Sequence, residues 1–277
     1  MSVSIFVQTL NEEQNLERCL RSLSFSDDIV VLDSFSTDGT ERIARSFGAR
    51  WVQRTYTGRA EHQNWAMENI SWKYPWVYYS DADEVLPPEL AAEIQVVTRA
   101  PEDRNAAYTV CRRDHFMGRW IKRSTQYPVH LTRLFRPPAI RWTRKANPIP
   151  HVDGLIGKLK NDFIHYPFSR GLSDWVWRHN RYSSFEAEET IRSLDARDFS
   201  WTELFHHNWA TRRHAIKKLS FRVPLRHRFR FLYMYFLRRG FLDGRPGLIY
   251  CQLLSTYEYL IVLKVEEQRR KQSGLPL

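Results

Sequence analysis

Across the first hundred residues, short apolar runs alternate with stretches of helical period. "SVSIFVQTL", "DDIVVLDS", "RWVQRTY" and "WVYYSDAD" read as strands, because β-branched and aromatic side chains suit a pleated surface. Between them, "NEEQNLERCLRSLS" sets Leu16, Cys19, Leu20 and Leu23 on one helical face, "TERIARSFGA" reads as a helix stopped at Gly48, and "RAEHQNWAMENI" as a third helix. This alternation admits few folds. Strands separated by helices form a mostly parallel sheet, wound right-handedly and covered on both faces, so the chain is expected to be α/β. In such sheets ligands bind at the carboxyl ends of the strands. Three of those ends are polar here: Thr9 and Asn11, then Asp33, then Asp81 and Asp83.

The last pair is the most informative. Side chains at i and i+2 of an extended segment point to one side, so Asp81 and Asp83 can converge on a cation while Ala82 points away. A hard divalent ion carrying a phosphate suits two such carboxylates. The plainer alternative is that one Asp caps the helix opened by Pro87 and Pro88 and the other is only solvated.

A chain of 277 residues accommodates one large domain or a domain with an appendage. Cys19, Cys111 and Cys251 are far apart and without metal-like spacing, so a reduced, intracellular protein is expected. The opening "MSVSIFVQTLNEEQN" has no basic region and turns polar, so no signal peptide is expected. Charge is unevenly spread: residues 1–200 hold 27 Lys and Arg against 26 Asp and Glu, whereas residues 201–277 hold 15 against 5. The net charge of +11 is therefore almost wholly C-terminal, and it favours a polyanionic partner, either nucleic acid or anionic lipid. From Leu204 to Leu242 there is no acidic residue, while ten Arg and Lys interleave with Phe, Tyr, Leu and Val. That mixture suits a helical segment in a membrane interface. The alternative is that these apolar residues complete the protein's own core. A later run, "GLIYCQLLSTYEYLIVL", is 17 residues long and holds Glu258, so it is expected to be peripheral or at most re-entrant.

Taken in order and at this spacing, "SIFVQTLNEEQNLERCLRSL", "DIVVLDSFSTDGT" and "YYSDADEVL" resemble the family 2 inverting glycosyltransferases of the GT-A fold. More loosely, "FMGRWI", "LTRLFR", "VDGLIGKLKNDFIHYPF", "NRYSSFEAEE" and "FLDGRPGL" resemble the branch with lipopolysaccharide-core β-1,4-glucosyltransferases. The resemblance implies a GT-A domain over residues 1–200, with a nucleotide-sugar half to about residue 100 and an acceptor half beyond it. Residues 201–277 would then be a basic helical extension that associates with membrane.

It also implies roles. Thr9, Leu10, Asn11, Glu12 and Asp33 would hold the base and ribose of a nucleotide sugar, expected to be UDP-linked. Asp33 could instead form the turn before "SFSTDGT", a role that Asp38 and Gly39 fit better. Asp83 would ligate a Mg or Mn ion bridging the diphosphate, with Asp81 also at the metal, ordering the ribose or the metal's waters, and Ala82 beside them. Arg59, Gln63 and Asn64 would help hold the donor, or else form a solvated helix face. An inverting transfer also needs a base for the acceptor hydroxyl. Members of the branch carry a His-Glu before "VDG"; this chain has Asn147 and Pro148. The nearest titratable groups are Asp153 and His151, with Asp114 a further candidate. The implied partners are a lipid-linked saccharide acceptor and an anionic membrane, at the cytoplasmic face of the inner membrane. A nucleotidyltransferase would need a glycine-rich basic loop after the first strand, which "TLNEEQN" lacks. A nucleic-acid binder would use the charge, but no recognition motif is present and none is expected as partner.

Overall fold

The first strand, β1 (Ser4–Thr9), pairs in parallel on both sides, with β2 (Ile29–Asp33) and with β4 (Val77–Asp81); β3 (Arg50–Gln53) extends the sheet beyond β2. These strands belong to a computed structural model that describes residues 3–100, 102–143, 148–196, 200–223 and 225–277. Later elements complete the sheet: β5 (Glu84–Val85), β6 (Asn105–Phe116), β8 (His130–Phe135) and β11 (Leu155–His165), while the short β7 (Arg119–Trp120) pairs with β6. The order is β3-β2-β1-β4-β8-β6-β11-β5. β8 runs antiparallel to β4 and β6, and β11 is parallel to β6 but antiparallel to β5. The sheet is thus mostly parallel, as the alternation of strands and helices requires.

Burial on both faces explains why the first strands read as unbroken apolar runs. Ile5, Val7, Val31 and Tyr78 face one core with Leu16 and Leu20 of α1 (Glu13–Ser22), Ile43 of α2 (Thr40–Ser46), and Leu90 and Ile94 of α4 (Pro88–Arg99). Phe6, Val30, Leu32 and Tyr79 face the other core, with Ala60 and Ala66 of α3 (Arg59–Asn69). Each large side chain fully buried in this way contributes about 1.5–3 kcal/mol. A two-stranded ribbon, β9 (Ile140–Thr143) with β10 (Ile149–Val152), lies on α3. Asn64 fixes it there, donating to the Trp142 carbonyl at 2.9 Å and accepting from its N–H at 2.8 Å.

The chain divides into two units, Met1–His115 with Gln126–Ser169, and Phe116–Thr125 with Arg170–Leu277. The second is helical. α5 (Gly171–Asp195) and α7 (Arg226–Leu232) both pack on α8 (Gly244–Gln272), and α6 (Trp209–Ser220) precedes α7. Between α7 and α8 the chain makes a π-helical turn, Tyr233–Leu237, and a 3-10 turn, Gly240–Asp243. The "FLDGRPG" segment serves packing. Asp243 accepts from the N–H groups of Arg123 and Ser124 at 2.8 and 2.6 Å, and a Cβ on Gly247 would stand 2.5 Å from the Gly240 carbonyl oxygen. Gly240–Gln272 is, among the described residues, the one helical stretch long and apolar enough to cross a membrane by length and composition. Glu258 within it pairs with Arg226 at 3.0 Å, and both side chains are largely buried.

Candidate functional site

Strand register assembles the site. Thr9 lies opposite Asp33 and Gln8 opposite Asp81, so three polar strand ends share one edge of the sheet. Asp33 is buried and already engaged: it accepts from the Thr9 hydroxyl at 2.9 Å, from the Ser36 N–H at 2.7 Å and from the Ser36 hydroxyl. Asn11 adopts a left-handed φ of 54°, which its short polar side chain tolerates, and its Oδ1 accepts from the Thr37 N–H at 2.8 Å. The Glu12 N–H donates to the Thr40 hydroxyl at 2.9 Å. The loops after β1 and β2 are therefore laced together, with Leu10 exposed beside them. Asp38 takes the turn role, accepting from the Thr40 N–H at 3.0 Å.

β4 ends at Asp81, and Ala82 and Asp83 form a turn into β5. Because the strand does not continue through Asp83, the two carboxylates do not share one partner as an extended pair would. Neither caps the next helix, whose N-cap is Pro87. Ala82 is buried, as its intervening position requires. Asp81 accepts from Arg59 at 2.7 Å, from Arg133 at 2.9 Å and from the Tyr79 hydroxyl. Burial opposes its ionisation, but the two guanidinium groups prevail and hold it well below the usual carboxylate range. Arg133, on β8, is nearly fully buried; it pairs also with Glu84 and lies 4.5 Å from the centre of the Tyr79 ring. Glu84 Oε2 accepts from the Asp81 N–H at 3.2 Å, so one buried ion pair grips the turn at both backbone and side chain. Burial raises the Glu84 carboxyl, opposed by Arg133.

Asp83 meets a different partner. β11 pairs His165 with Glu84 on one side and with Asp114 on the other, which brings an imidazole to the turn. His165 Nε2 stands 3.4 Å from Asp83 Oδ2, and His165 Nδ1 stands 2.6 Å from Asp114 Oδ1. Burial pulls the imidazole down, yet the Asp83 and Asp114 carboxylates raise it to about 10. Asp114 is itself buried and accepts from Arg112 at 2.9 Å; burial would raise it, but His165 and Arg112 lower it. A carboxylate behind an imidazole fixes the ring and its tautomer, the usual support for a metal-ligating histidine. Asp83 and His165 could offer an oxygen and a nitrogen to one divalent ion if the ion displaces the proton that His165 holds toward Asp83. Among the described residues no group of three His, Cys, Asp or Glu side chains gathers as a ligand set. Such an ion would take its other ligands from water and substrate phosphate, a mode common for Mg and Mn.

The structure places the remaining candidates as follows. Gln63 is buried, with its Oε1 lacking a hydrogen-bond partner among the described residues, whereas Asn64 is committed to β9. Asp153 and His151 line a separate pocket of about 480 Å³ with Asn64, Glu68, Pro138 and Arg141. Among the described residues no hydrogen bond or ion pair joins Asp153 or His151 to the Asp81 and Asp83 cluster. His151 Nε2 is 2.9 Å from the Thr143 hydroxyl, and the Asp153 N–H donates to the Ala139 carbonyl at 2.8 Å. Asn147 lies outside the described residues, and Pro148 precedes β10. Sequence reasoning missed Glu84, Arg133 and His165. Only "DADE", "LTRLFR" and "NDFIHYPF" hold them, and nothing local in those strings says that they meet.

The family profile described as glycosyl transferase family 2 matches residues 4–155, from β1 into β11 and more than half of the chain. The chain belongs to this family. This family 2 glycosyltransferase is 25% identical to the lipopolysaccharide core biosynthesis glycosyltransferase LpsC of Rhizobium meliloti, over 97% of this chain and 93% of that one. It is also 25% identical to the uncharacterized glycosyltransferase RP128 of Rickettsia prowazekii, over 99% and 89%. Among solved structures it is similar to S. aureus TarS 1-349 in complex with UDP-GlcNAc, with 16% identity, 99% and 93% coverage and a TM-score of 0.43. Glucosyl-3-phosphoglycerate synthase from Mycobacterium tuberculosis, solved with Mn2+ and UDP, is 24% identical over 41% of this chain and 44% of that one, with a TM-score of 0.33.

Proposed function

We propose that this glycosyltransferase moves a sugar, with inversion, from a UDP-linked donor to a hydroxyl of a lipid-linked saccharide in lipopolysaccharide-core or other surface-glycan assembly. The observation that carries this reading is the Asp83–His165–Asp114 chain at the strand ends, beside the laced loops of Thr9 to Glu12 and Asp33. Asp83 and His165 would hold a Mg or Mn ion, which supplies Lewis acidity to the departing diphosphate. The rest falls to the chain's own residues. The Thr9–Glu12 loop, Asp33 and the unpartnered Gln63 carbonyl surround the nucleoside. Arg59, at the start of α3, brings positive charge and helix N–H groups toward the phosphates. Asp81, fixed by two guanidinium groups, orients the ribose.

The acceptor hydroxyl attacks the anomeric carbon as the bond to phosphate breaks, and its proton goes to a base. We assign that base to Asp153, with His151 and Asp114 as competitors. Asp114 already accepts from His165 and Arg112, whereas Asp153 is exposed and, among the described residues, makes no ion pair. Similarity to LpsC, a glycosyltransferase of lipopolysaccharide core biosynthesis, supports a saccharide of that core as acceptor. The catalytic part, expected from the sequence over residues 1–200, is the sheet-containing unit that ends at Ser169, because α5 packs on α8, and the basic helical unit keeps the enzyme peripherally on the cytoplasmic face of the inner membrane. A panel of nucleotide sugars tests the reading. Metal-dependent binding or hydrolysis of a UDP-sugar is expected, and no binding of any nucleotide sugar with either Mg or Mn contradicts it.

A further inference from the structure

α7 and the turn after it are inside out. Positions 226, 230 and 234 recur at intervals of four and face the helical unit. Arg226 is only 6% exposed and pairs with Glu258, Met234 is 4% exposed, and Arg230 Nε lies 3.3 Å from Met234 Sδ. Phe229, Leu232, Tyr233, Phe236 and Leu237 fall at i, i+3, i+4, i+7 and i+8, one side of a helix, and they are 57, 48, 49, 56 and 75% exposed. A soluble surface helix shows the reverse arrangement. Two non-glycine residues in the left-handed region bracket the segment, Leu225 at φ 54° and Arg239 at φ 61°, conformations that L-residues adopt only at a cost. The fold thus holds the aromatic face outward.

We infer that this outward face of α7 and the π-helical turn is the wedge that enters an anionic phospholipid bilayer, and that α8 stays in the helical unit without crossing. The inference deepens the membrane reading above and rests on it. Charge complementarity selects the occupant. No acidic residue lies between Leu204 and Leu242, while Arg228, Arg238 and Arg239 flank the wedge, so phosphate-bearing head groups match its rim. A second copy of the chain would set positive rim against positive rim. Beside the wedge, a groove of about 500 Å³ is lined by Arg228, Phe231, Leu232, Gln252, Ser255 and Thr256, a guanidinium next to an apolar wall. α8 is tied down on its other side. Lys264 Nζ donates to Asn180 Oδ1 at 2.8 Å and to the Ser184 hydroxyl at 2.9 Å on α5, and Glu258 is held by Arg226. A span would have to break all of these.

The test uses the full chain and needs neither donor nor acceptor. The three native cysteines are buried, so Leu237→Cys accepts an environment-sensitive dye selectively. The dye should shift to an apolar signal on phosphatidylglycerol-containing vesicles, and less on phosphatidylcholine alone. Phe236→Ser with Leu237→Ser should weaken vesicle binding by about tenfold or more at unchanged helicity. Ser273→Cys should stay open to a membrane-impermeant maleimide on the bound protein. A dye that remains aqueous on bound protein, unchanged binding of the double variant, a protected Ser273→Cys, or a sedimenting dimer that hides position 237 each overturn the wedge. Absence of wild-type binding to any vesicle overturns the membrane reading itself, and nucleotide-sugar turnover is judged separately in solution.

Discussion

Arg133→Met would remove the cation shared by Asp81 and Glu84 while keeping most of the side chain's apolar stem. Asp81 is partly exposed and retains Arg59, but Glu84 is 1% exposed and would be left as a buried charge without a guanidinium. Breaking a buried pair from one side costs about 3–5 kcal/mol, because the surviving carboxylate is neither solvated nor compensated and stays buried only by taking up a proton. Against a total stability of roughly 5–15 kcal/mol, that is a large share. Urea unfolding followed by far-UV circular dichroism should show the sheet-containing unit losing about this amount. The control is Arg133→Met with Glu84→Gln, in which the amide oxygen still accepts from the Asp81 N–H but carries no charge. This double variant should recover at least half of the loss, while donor turnover stays impaired because Asp81 has lost its buried anchor. A single variant within about 1 kcal/mol of the parent, or a double variant no more stable than the single, would refute the reasoning.

Three further outcomes follow from the same geometry. Asp114→Asn should lower Mn affinity by about 10- to 100-fold while metal-free nucleotide binding is kept, since it disturbs the orientation of His165 rather than the nucleotide loops; isothermal titration with and without metal checks this. Burial, with the charge of Arg54, lowers the buried His62 to about 4, so its contribution to stability is present above pH 6.5 and lost as pH falls from 6.5 toward 4; the loss should be roughly 1–3 kcal/mol in unfolding curves and should flatten in His62→Gln. Asp153→Asn should slow transfer by about 10² to 10⁴ with donor affinity nearly unchanged, whereas wild-type transfer in this variant moves the base to His151 or Asp114.

The sheet and its crevice were legible because local chemistry carried them. Buried parallel strands must be apolar on both faces, so the runs ending at Thr9, Asp33 and Asp81 announced both the fold and the edge where polar groups collect. The inner support of the site was not legible. Arg133 arrives on an antiparallel strand inserted between parallel ones, and His165 arrives through β11, whose register against β5 and β6 no nearby residue dictates. Asp81 and Asp83 also read as one pair, yet the strand stops between them and each finds its own partner. In the C-terminal unit, composition announced a basic and aromatic segment. Its orientation was hidden, because Arg226 is drawn inward by Glu258, which lies 32 positions further on.

The most direct test of the account is turnover of a UDP-sugar against Mn or Mg concentration, compared between the parent and Asp83→Ala at matched thermal stability. The Asp83 carboxylate is partly exposed in a turn and carries little packing, so the variant should fold normally, bind metal poorly and lose metal-dependent turnover. Full turnover by Asp83→Ala at ordinary metal concentrations, or turnover in the parent that does not respond to metal, would contradict the placement of the metal and diphosphate at this strand end.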